Sequence, residues 1–555
     1  MIQKHSLRQS KKITSLFIRY SLFFTGLVYI LFFFFRLPRG FDLTDSGYYL
    51  CLYRNFHTSP KAHSYYLSNW LGYIILENSN YAVIAIRIFS FFLFCISVFF
   101  SWKSFAQLKG QQIKLAKCIM TIFALFFIAR FPFENIFHFS TTLSASIILF
   151  LLNLSFNNPN KNIWFFLSGI MLIISALLRI VNIVFLVPGI ITIFFIPKNH
   201  KNKFILFYAL GITVGSFITW LSLSIVNQWD DFYQMIMRIF FVTSKTSTSH
   251  NLVKLLLRYS KDIMVILVLL LLIFCYRMLI RIIRKPFFTN IFFFISLIIA
   301  IGIAYLSFTH MGFILIFYLG IVALLIDQVL IPLIYTIVKN YYLTIGRDIS
   351  AFKLFKILRL EKNYRFSLDI INNWDKSVQA TLLIAFSLFF SIMFGTSISI
   401  NMSKTLWILL LPIPVFFLKS HSKKNNATIH SPGNQWKLLA TCTMLILSLY
   451  LAAVSVLYPY LDTNLFSLST EINHPYLKHI KTSPYKAEVI AEFIDLFDRS
   501  IDSTIVDTKV LTFGSLPMID YLIHQSSMTN QYWIDLDGYS TKEFIDDISK
   551  YEGRF

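Results

Sequence analysis

Long uncharged runs of apolar residues alternate with short stretches rich in Lys and Arg along most of the chain. Runs such as 287–308 and 381–400 reach the roughly 20 residues that a helix needs to cross the hydrocarbon core of a bilayer, and buried strands do not run that long. The pattern predicts thirteen apolar spans, at 13–35, 82–101, 115–130, 139–156, 163–179, 181–196, 204–226, 262–280, 287–308, 311–338, 378–400, 405–419 and 437–458. Beyond residue 458 it changes to a mixed, amphipathic one, which predicts a helix over 484–499, a strand over 504–513 and a helix over 517–524. The fold class expected is therefore a polytopic α-helical membrane protein of about 13 transmembrane helices (1–458), followed by a small C-terminal α/β extracytoplasmic domain (459–555).

Composition agrees with lipid as the main solvent. Of 555 residues, 56% are hydrophobic, 14% are charged and 60 are Phe, far from the usual soluble mixture. The net charge of +23 suggests nucleic acid until it is divided along the chain. Residues 458–555 hold 15 of the 27 acidic side chains and 8 of the 50 basic ones, a net −7 that leaves +30 for the rest. The excess of Lys and Arg sits in connections between apolar runs, which is the signature of topology and not of nucleic-acid binding.

Basic residues of short loops stay in the cytoplasm. Lys4, Arg8, Lys11 and Lys12 therefore place the N-terminus inside, and the run after them lacks a small-residue cleavage site, so it is expected to be a retained first span. Lys103 to Lys117, Lys198 to Lys203, Arg277 to Lys285, the basic loop 339–377 and Lys419 to Lys437 fall on the same side. An odd number of spans then puts the acidic C-terminal segment outside. The loop 339–377 also carries Phe352, Leu354, Ile357 and Leu358, and is expected to form a basic interfacial helix held by anionic membrane lipids. The five cysteines lie mostly within spans and predict neither a disulfide framework nor a Cys-rich metal site.

Two outer loops are long, 36–81 and 227–261. The first contains a helical stretch over 47–55 and an amphipathic run over 65–76, suited to the membrane surface. Only twelve carboxylates lie before the tail, so each is informative. Asp42 and Asp45 directly follow the first span, where a carboxylate can take a proton from an acceptor hydroxyl or hold a divalent cation, Mg or Mn, against a lipid phosphate. The structural alternative is that Asp45 or Ser46 caps the helix starting near Gly47. Arg130, Glu134 and His138 cluster at the turn between spans three and four, facing the same cavity or anchoring the helix end. Lys61 and His63 in the first loop, and Lys245, His250, Arg258 and Lys261 in the second, are basic groups on a side usually depleted of them, which suits a phosphate ligand as well as headgroup contact. Trp229 reads as an interfacial anchor, and Asp327 as an interfacial acid at the inner end of its span or part of a proton path.

Three sets of residues carry a resemblance. They are Asp42-Leu43-Thr44-Asp45-Ser46-Gly47-Tyr48-Tyr49 in the first outer loop, Ser168-Gly169-Ile170 through Leu178-Arg179 to Pro188, and Phe513-Gly514-Ser515-Leu516-Pro517 through Tyr521 in the tail. Together with the many spans they resemble the GT-C glycosyltransferases, which include protein O-mannosyltransferases, bacterial aminoarabinose transferases and lipopolysaccharide sugar transferases. The resemblance implies inverting transfer of a sugar from a polyprenyl-phosphate donor to a lipid or glycan acceptor, on the outer face of a bacterial-type cytoplasmic membrane. It implies that Asp45 is the catalytic acid residue of the family, alone or with a divalent cation, that Tyr48 lies at the substrate site, and that basic outer residues hold the departing phosphate. Many relatives carry Asp-Glu where this chain has Asp45-Ser46, which leaves Asp42 as the candidate for the missing second carboxylate. The rival readings are a transporter or lipid flippase, expected to show inverted repeats and broken midplane helices, and an oligosaccharide polymerase or ligase, expected to place Arg and His in a large late loop.

Overall fold

The structure is a computed structural model that describes residues 27–107, 133–239, 252–283, 320–345, 376–391, 404–410 and 462–549, with short gaps within these stretches. The described residues are predominantly helical. After a helical turn at 33–36, the first long loop folds into α1 (Asp45–Arg54), a 3-10 turn (Pro60–Tyr65) and α2 (Tyr66–Asn78). The body continues with α3 (Ala82–Gln107), α4 (Ile136–Asn157), α5 (Asn162–Leu178), α6 (Leu186–Phe195) and α7 (Lys198–Ile225). Then come α8 (Trp229–Met237), α9 (Leu252–Ile283), α10 (Ile331–Ile345) and α11 (Lys376–Ser391). Among the described residues, four helical segments are long and apolar enough to cross a membrane: Ala82–Phe105, Ile136–Asn157, Lys198–Ile225 and Val322–Asn340.

The expected spans at 115–130, 287–308 and 437–458 lie outside the described residues, as does the basic loop from 346 to 375. The helices expected at 163–179 and 181–196 are found at nearly those bounds, as α5 and as a 3-10 turn (Ile180–Phe185) running into α6, with Arg179 extended between them. At 1.5 Å per residue the ten residues of α6 cover about 15 Å, half the hydrocarbon thickness. Asn182 stabilises this break: its Nδ2 donates to the Ser175 carbonyl at 3.1 Å and to Thr141 Oγ1 at 3.2 Å, replacing bonds that a continuous helix would make. Two other described segments differ from expectation, α9 and the span at 405–419. Helix α9 begins at Leu252, inside the expected second loop, since the helical apolar period already runs through Leu252, Val253, Leu255 and Leu256. The described part of the span at 405–419 is a 3-10 turn, Lys404–Leu409.

Helix α4 is the central helix, packed against α3, α5 and α11. Its contacts are polar as well as apolar, with Ser144 Oγ 2.8 Å from Ser175 Oγ on α5, and Asn153 Oδ1 accepting from Thr381 on α11 at 2.6 Å. Helices α5 and α7 meet most closely. A Cβ at Gly169 would collide with the Tyr208 carbonyl oxygen, and one at Gly211 with the Phe166 carbonyl oxygen. Gly211 and Gly215 form the small-xxx-small spacing that lets two helix backbones touch in lipid.

The described C-terminal segment holds α12 (Pro484–Ser500), α13 (Met518–Ile523) and α14 (Thr541–Ser549). Its strands are brief: β1 (Thr470–Glu471) pairs antiparallel with β2 (Lys481–Thr482), and β3 (Lys509–Val510) pairs parallel with β4 (Ser526–Ser527). The strand expected over 504–513 is thus two residues long where described, and the hairpin of β1 and β2 was not expected.

The segment is fastened to the first loop at several points between Pro38 and Arg54. The Gly40 amide donates to the Lys481 carbonyl at 2.9 Å, and the Lys481 amide to the Pro38 carbonyl at 2.7 Å. Asp462 accepts from the Phe41 amide and from Thr482, and pairs with Lys486, whose ammonium also donates to the Phe41 carbonyl. At α1, the Met518 amide donates to the Leu43 carbonyl at 3.1 Å and Gly47 lies against the Met518 backbone, where a Cβ has no room. One turn on, the Cys51 thiol donates to the Pro517 carbonyl at 3.4 Å. Arg54 donates to the Tyr521 carbonyl at 2.6 Å while its guanidinium lies between the rings of Tyr476 and Tyr521.

Candidate active site

Helix α1 presents two faces. Gly47, Cys51 and Arg54 turn to the C-terminal segment, whereas Tyr49 and Tyr53, at i and i+4, meet the helical body, and Asp45, one turn before Tyr49, lies within electrostatic reach of it. Tyr49 lies 4.8 Å from Phe137 and 6.1 Å from Tyr65 between ring centroids. Tyr53 donates to the Glu134 carbonyl at 2.6 Å and accepts from the Ile136 amide at 3.1 Å, tying the helix to the start of α4. Arg179, at the break after α5, has its guanidinium 5.9 Å from the Phe137 ring and within electrostatic reach of Tyr65, Tyr49 and Tyr259. One half-buried carboxylate and one buried guanidinium thus approach the same Tyr49–Tyr65–Phe137 wall.

The two acids of the loop have different roles. Asp42 is 2% exposed and both its oxygens are engaged: Oδ1 accepts from the Thr44 amide and hydroxyl, and Oδ2 from the Ser46 amide at 3.2 Å. It satisfies the first turn of α1, a task expected of Asp45 or Ser46, so its oxygens are not directed at a substrate. Asp45 is half-buried at the first position of the helix. Burial, and then the Asp42 charge beside it, push its carboxyl up to about 6. Such a group is ionised at neutral pH yet basic enough to accept a proton.

The other expected residues are distributed unevenly. Glu134 is fully buried and pairs with Arg87 at 2.6 Å. Arg87 also donates to the carbonyls of Leu37 and Gly40, which clamps the segment entering the Asp42–Asp45 turn. His63 is 2% exposed, stacked on Tyr66 and edge-on to Phe56, inside the loop's own aromatic nest. Tyr48 is buried against Tyr49, and His138 is buried with its ring 3.9 Å from that of Phe137, beside the Arg179 wall. Arg130, Lys245 and His250 lie outside the described residues, and so do the side chains of Lys61 and Arg258, although their backbones fall in the 3-10 turn and in α9. Asp327 is 1% exposed within a π turn (Ile326–Leu330), where an interfacial acid was expected.

Among the described residues no three His, Cys, Asp or Glu side chains converge as a metal site. With Asp42 occupied, a divalent cation would rest on Asp45 as its one protein carboxylate, completed by substrate phosphate and water, as Mg²⁺ often is.

Arg87 and the Tyr49–Tyr65 pair were missed from sequence. Arg87 did carry a signal, because an Arg inside an apolar run demands a buried acid or carbonyl partner, and Glu134 is one of very few available. Compared with protein-family models, curated proteins and solved structures, the chain shows no match.

Proposed function

We propose that the chain is a membrane glycosyltransferase that moves a sugar from a polyprenyl-phosphate donor to a hydroxyl of a lipid or glycan acceptor, with inversion. The observation that carries this reading is the placement of Asp45: half-buried, its carboxyl pushed up to about 6, and within electrostatic reach of Tyr49, which Arg179 also approaches. In this reading thirteen spans place the N-terminus in the cytoplasm and the first loop, with the C-terminal segment, on the outer face of a cytoplasmic membrane. The donor enters laterally from the lipid.

Asp45 takes the proton from the acceptor hydroxyl as its oxygen attacks the anomeric carbon, and the bond to the lipid phosphate breaks on the opposite side. Charge that develops on the phosphate is met by Arg179, whose planar guanidinium matches two phosphate oxygens. The tyrosines exclude water, which would otherwise compete as acceptor. A bound Mg²⁺ or Mn²⁺ would supply further charge neutralisation at the phosphate, with Asp45 as ligand.

Replacing Asp45 by Asn keeps the shape and removes the base. Sugar transfer from a radiolabelled polyprenyl-phosphate donor should fall by about 10² to 10⁴ at unchanged expression; full activity in Asp45→Asn would sink the assignment. A transporter is the second reading, favoured by the helix break at Arg179 through Phe185. Substrate movement into sealed vesicles that survives Asp45→Asn and fails in Arg179→Ala would select it.

A further inference from the structure

The junction between α1 and the C-terminal segment contains an acid that the proposed chemistry does not use. Asp520 on α13 is 4% exposed. Thr512 donates to its Oδ1, and Oδ2 is buried without a hydrogen-bond partner. It stands between Pro517, Met518 and Tyr521, the three residues through which this segment grips Cys51, the Leu43 carbonyl and Arg54. Among the described residues, the groups around it offer no cation to spare. From α1 come the Cys51 thiol and Arg54, whose guanidinium is taken by the Tyr521 carbonyl and two rings. From the segment itself come Tyr532, and His474, which bonds the Leu522 carbonyl. Helix α12 turns Ala487 and Ile490 inward while Lys486 is held by Asp462 and the Phe41 carbonyl, and its acids Glu488, Glu492, Asp495 and Asp498 are exposed.

We propose that Asp520 is a proton-operated latch: protonated, it lets the C-terminal segment close on α1, and ionised, it loosens that seam and with it the cover over the first loop. The physical basis is that a neutral carboxyl needs one hydrogen bond and little else in an apolar seam, whereas a carboxylate without a cation there is costly. Burial accordingly pushes this carboxyl up to about 6. The sign follows. The docked state binds the proton more tightly than the open one, so docking is complete below about pH 4, weakens as pH rises toward 6, and carries its full penalty above that. The open fraction should rise by up to about a hundredfold across this interval, the two-unit displacement of the carboxyl read as an equilibrium constant. This inference is independent of the reaction catalysed.

Cys51 is a built-in reporter, since its thiol is buried in the seam and burial holds it well above the ordinary thiol range. In the full chain with Cys95, Cys118, Cys275 and Cys442 replaced by Ala, maleimide labelling of Cys51 is measured from pH 4.5 to 8 and divided by the rate of a free thiol at each pH. The normalised rate should rise several tenfold with a midpoint near 6. In Asp520→Asn it should stay flat at the acid value. Asp45→Asn, which removes the other acid of similar pKa, should keep the rise. Thr512→Val, which takes a donor from the carboxylate, should move the midpoint up and serves as the reading if Asp520→Asn does not fold. A flat wild-type profile, a rise that survives Asp520→Asn, or a rise that disappears in Asp45→Asn would overturn the proposal.

Discussion

The seam between α1 and the C-terminal segment and the contact between α5 and α7 are both closed by glycines against backbone, yet they are built from opposite materials. At α5 and α7, Gly169 and Gly211 bring two apolar helices together with main chain against main chain. Around α1, Gly47 performs the same close approach, but its surroundings are carbonyl, amide, guanidinium and carboxylate: Leu43, Cys51, Arg54, Asp462 and Lys486 each bond across the junction. In the proposed topology the difference follows from the solvent each contact replaces, lipid for α5 and α7 and water for the seam. In lipid the apolar effect does not drive helices together, so tight packing must, whereas in water a polar junction can form and reopen with modest cost because its groups are solvated when apart. The helix contact is therefore expected to be permanent and the α1 seam adjustable.

The largest effect is expected at a third contact, the buried ion pair of Arg87 on α3 with Glu134 just before α4. Arg87→Met leaves Glu134 charged and buried, and thermal unfolding in detergent should report a loss of about 3–5 kcal/mol, with the first loop released because the Leu37 and Gly40 carbonyls lose their donor. A loss under about 1 kcal/mol would mean the pair is solvated. Gly211→Leu should cost about 3 kcal/mol or more, seen as poor yield of folded protein, since neither helix backbone can retreat far. Gly47→Ala is the milder counterpart: proteolysis should cut the C-terminal segment faster while the body keeps its melting temperature, a loss of about 1–3 kcal/mol confined to the seam. Equal damage to body and seam by Gly47→Ala would show that they fold as one unit and end the distinction.

How far these features could be read from the chain depends on the distance over which each is determined. The spans at 82–101, 139–156 and 204–226 were legible because about 20 residues with at most one charge leave few alternatives in any solvent. Helix α1 and the amphipathic α2 were legible for the same local reason. The place of the break after α5 was legible too, since the apolar runs at 163–179 and 181–196 part there, but its 3-10 turn and the bonds of Asn182 to Ser175 and Thr141 were not, because an Asn beside an apolar turn has no periodic signature. The site was half legible. Scarcity of acids pointed to Asp42 and Asp45, but spacing alone made them equivalent, and only the direction of the Thr44 and Ser46 amides separates the one that builds the turn from the one within electrostatic reach of Tyr49. The seam was invisible in sequence because its partners, such as Gly40 with Lys481 and Cys51 with Pro517, are more than 400 residues apart.

Asp45 on α1 is proposed as the base of the transfer reaction, while Asp520, across the seam on α13, is proposed to control only the seam. Both carboxyls are pushed up to about 6, so a pH profile alone would confuse them, and a pH profile in two backgrounds would not. The decisive measurement is kcat/KM for sugar transfer from the polyprenyl-phosphate donor between pH 4.5 and 8, in the wild type and in Asp520→Asn. A base must be ionised to act, so the rate should climb tenfold per pH unit below about 6 and level off above it, and the same limb should persist in Asp520→Asn. A rate independent of pH through this range, or a limb that vanishes when Asp520 is replaced, would contradict the assignment of Asp45.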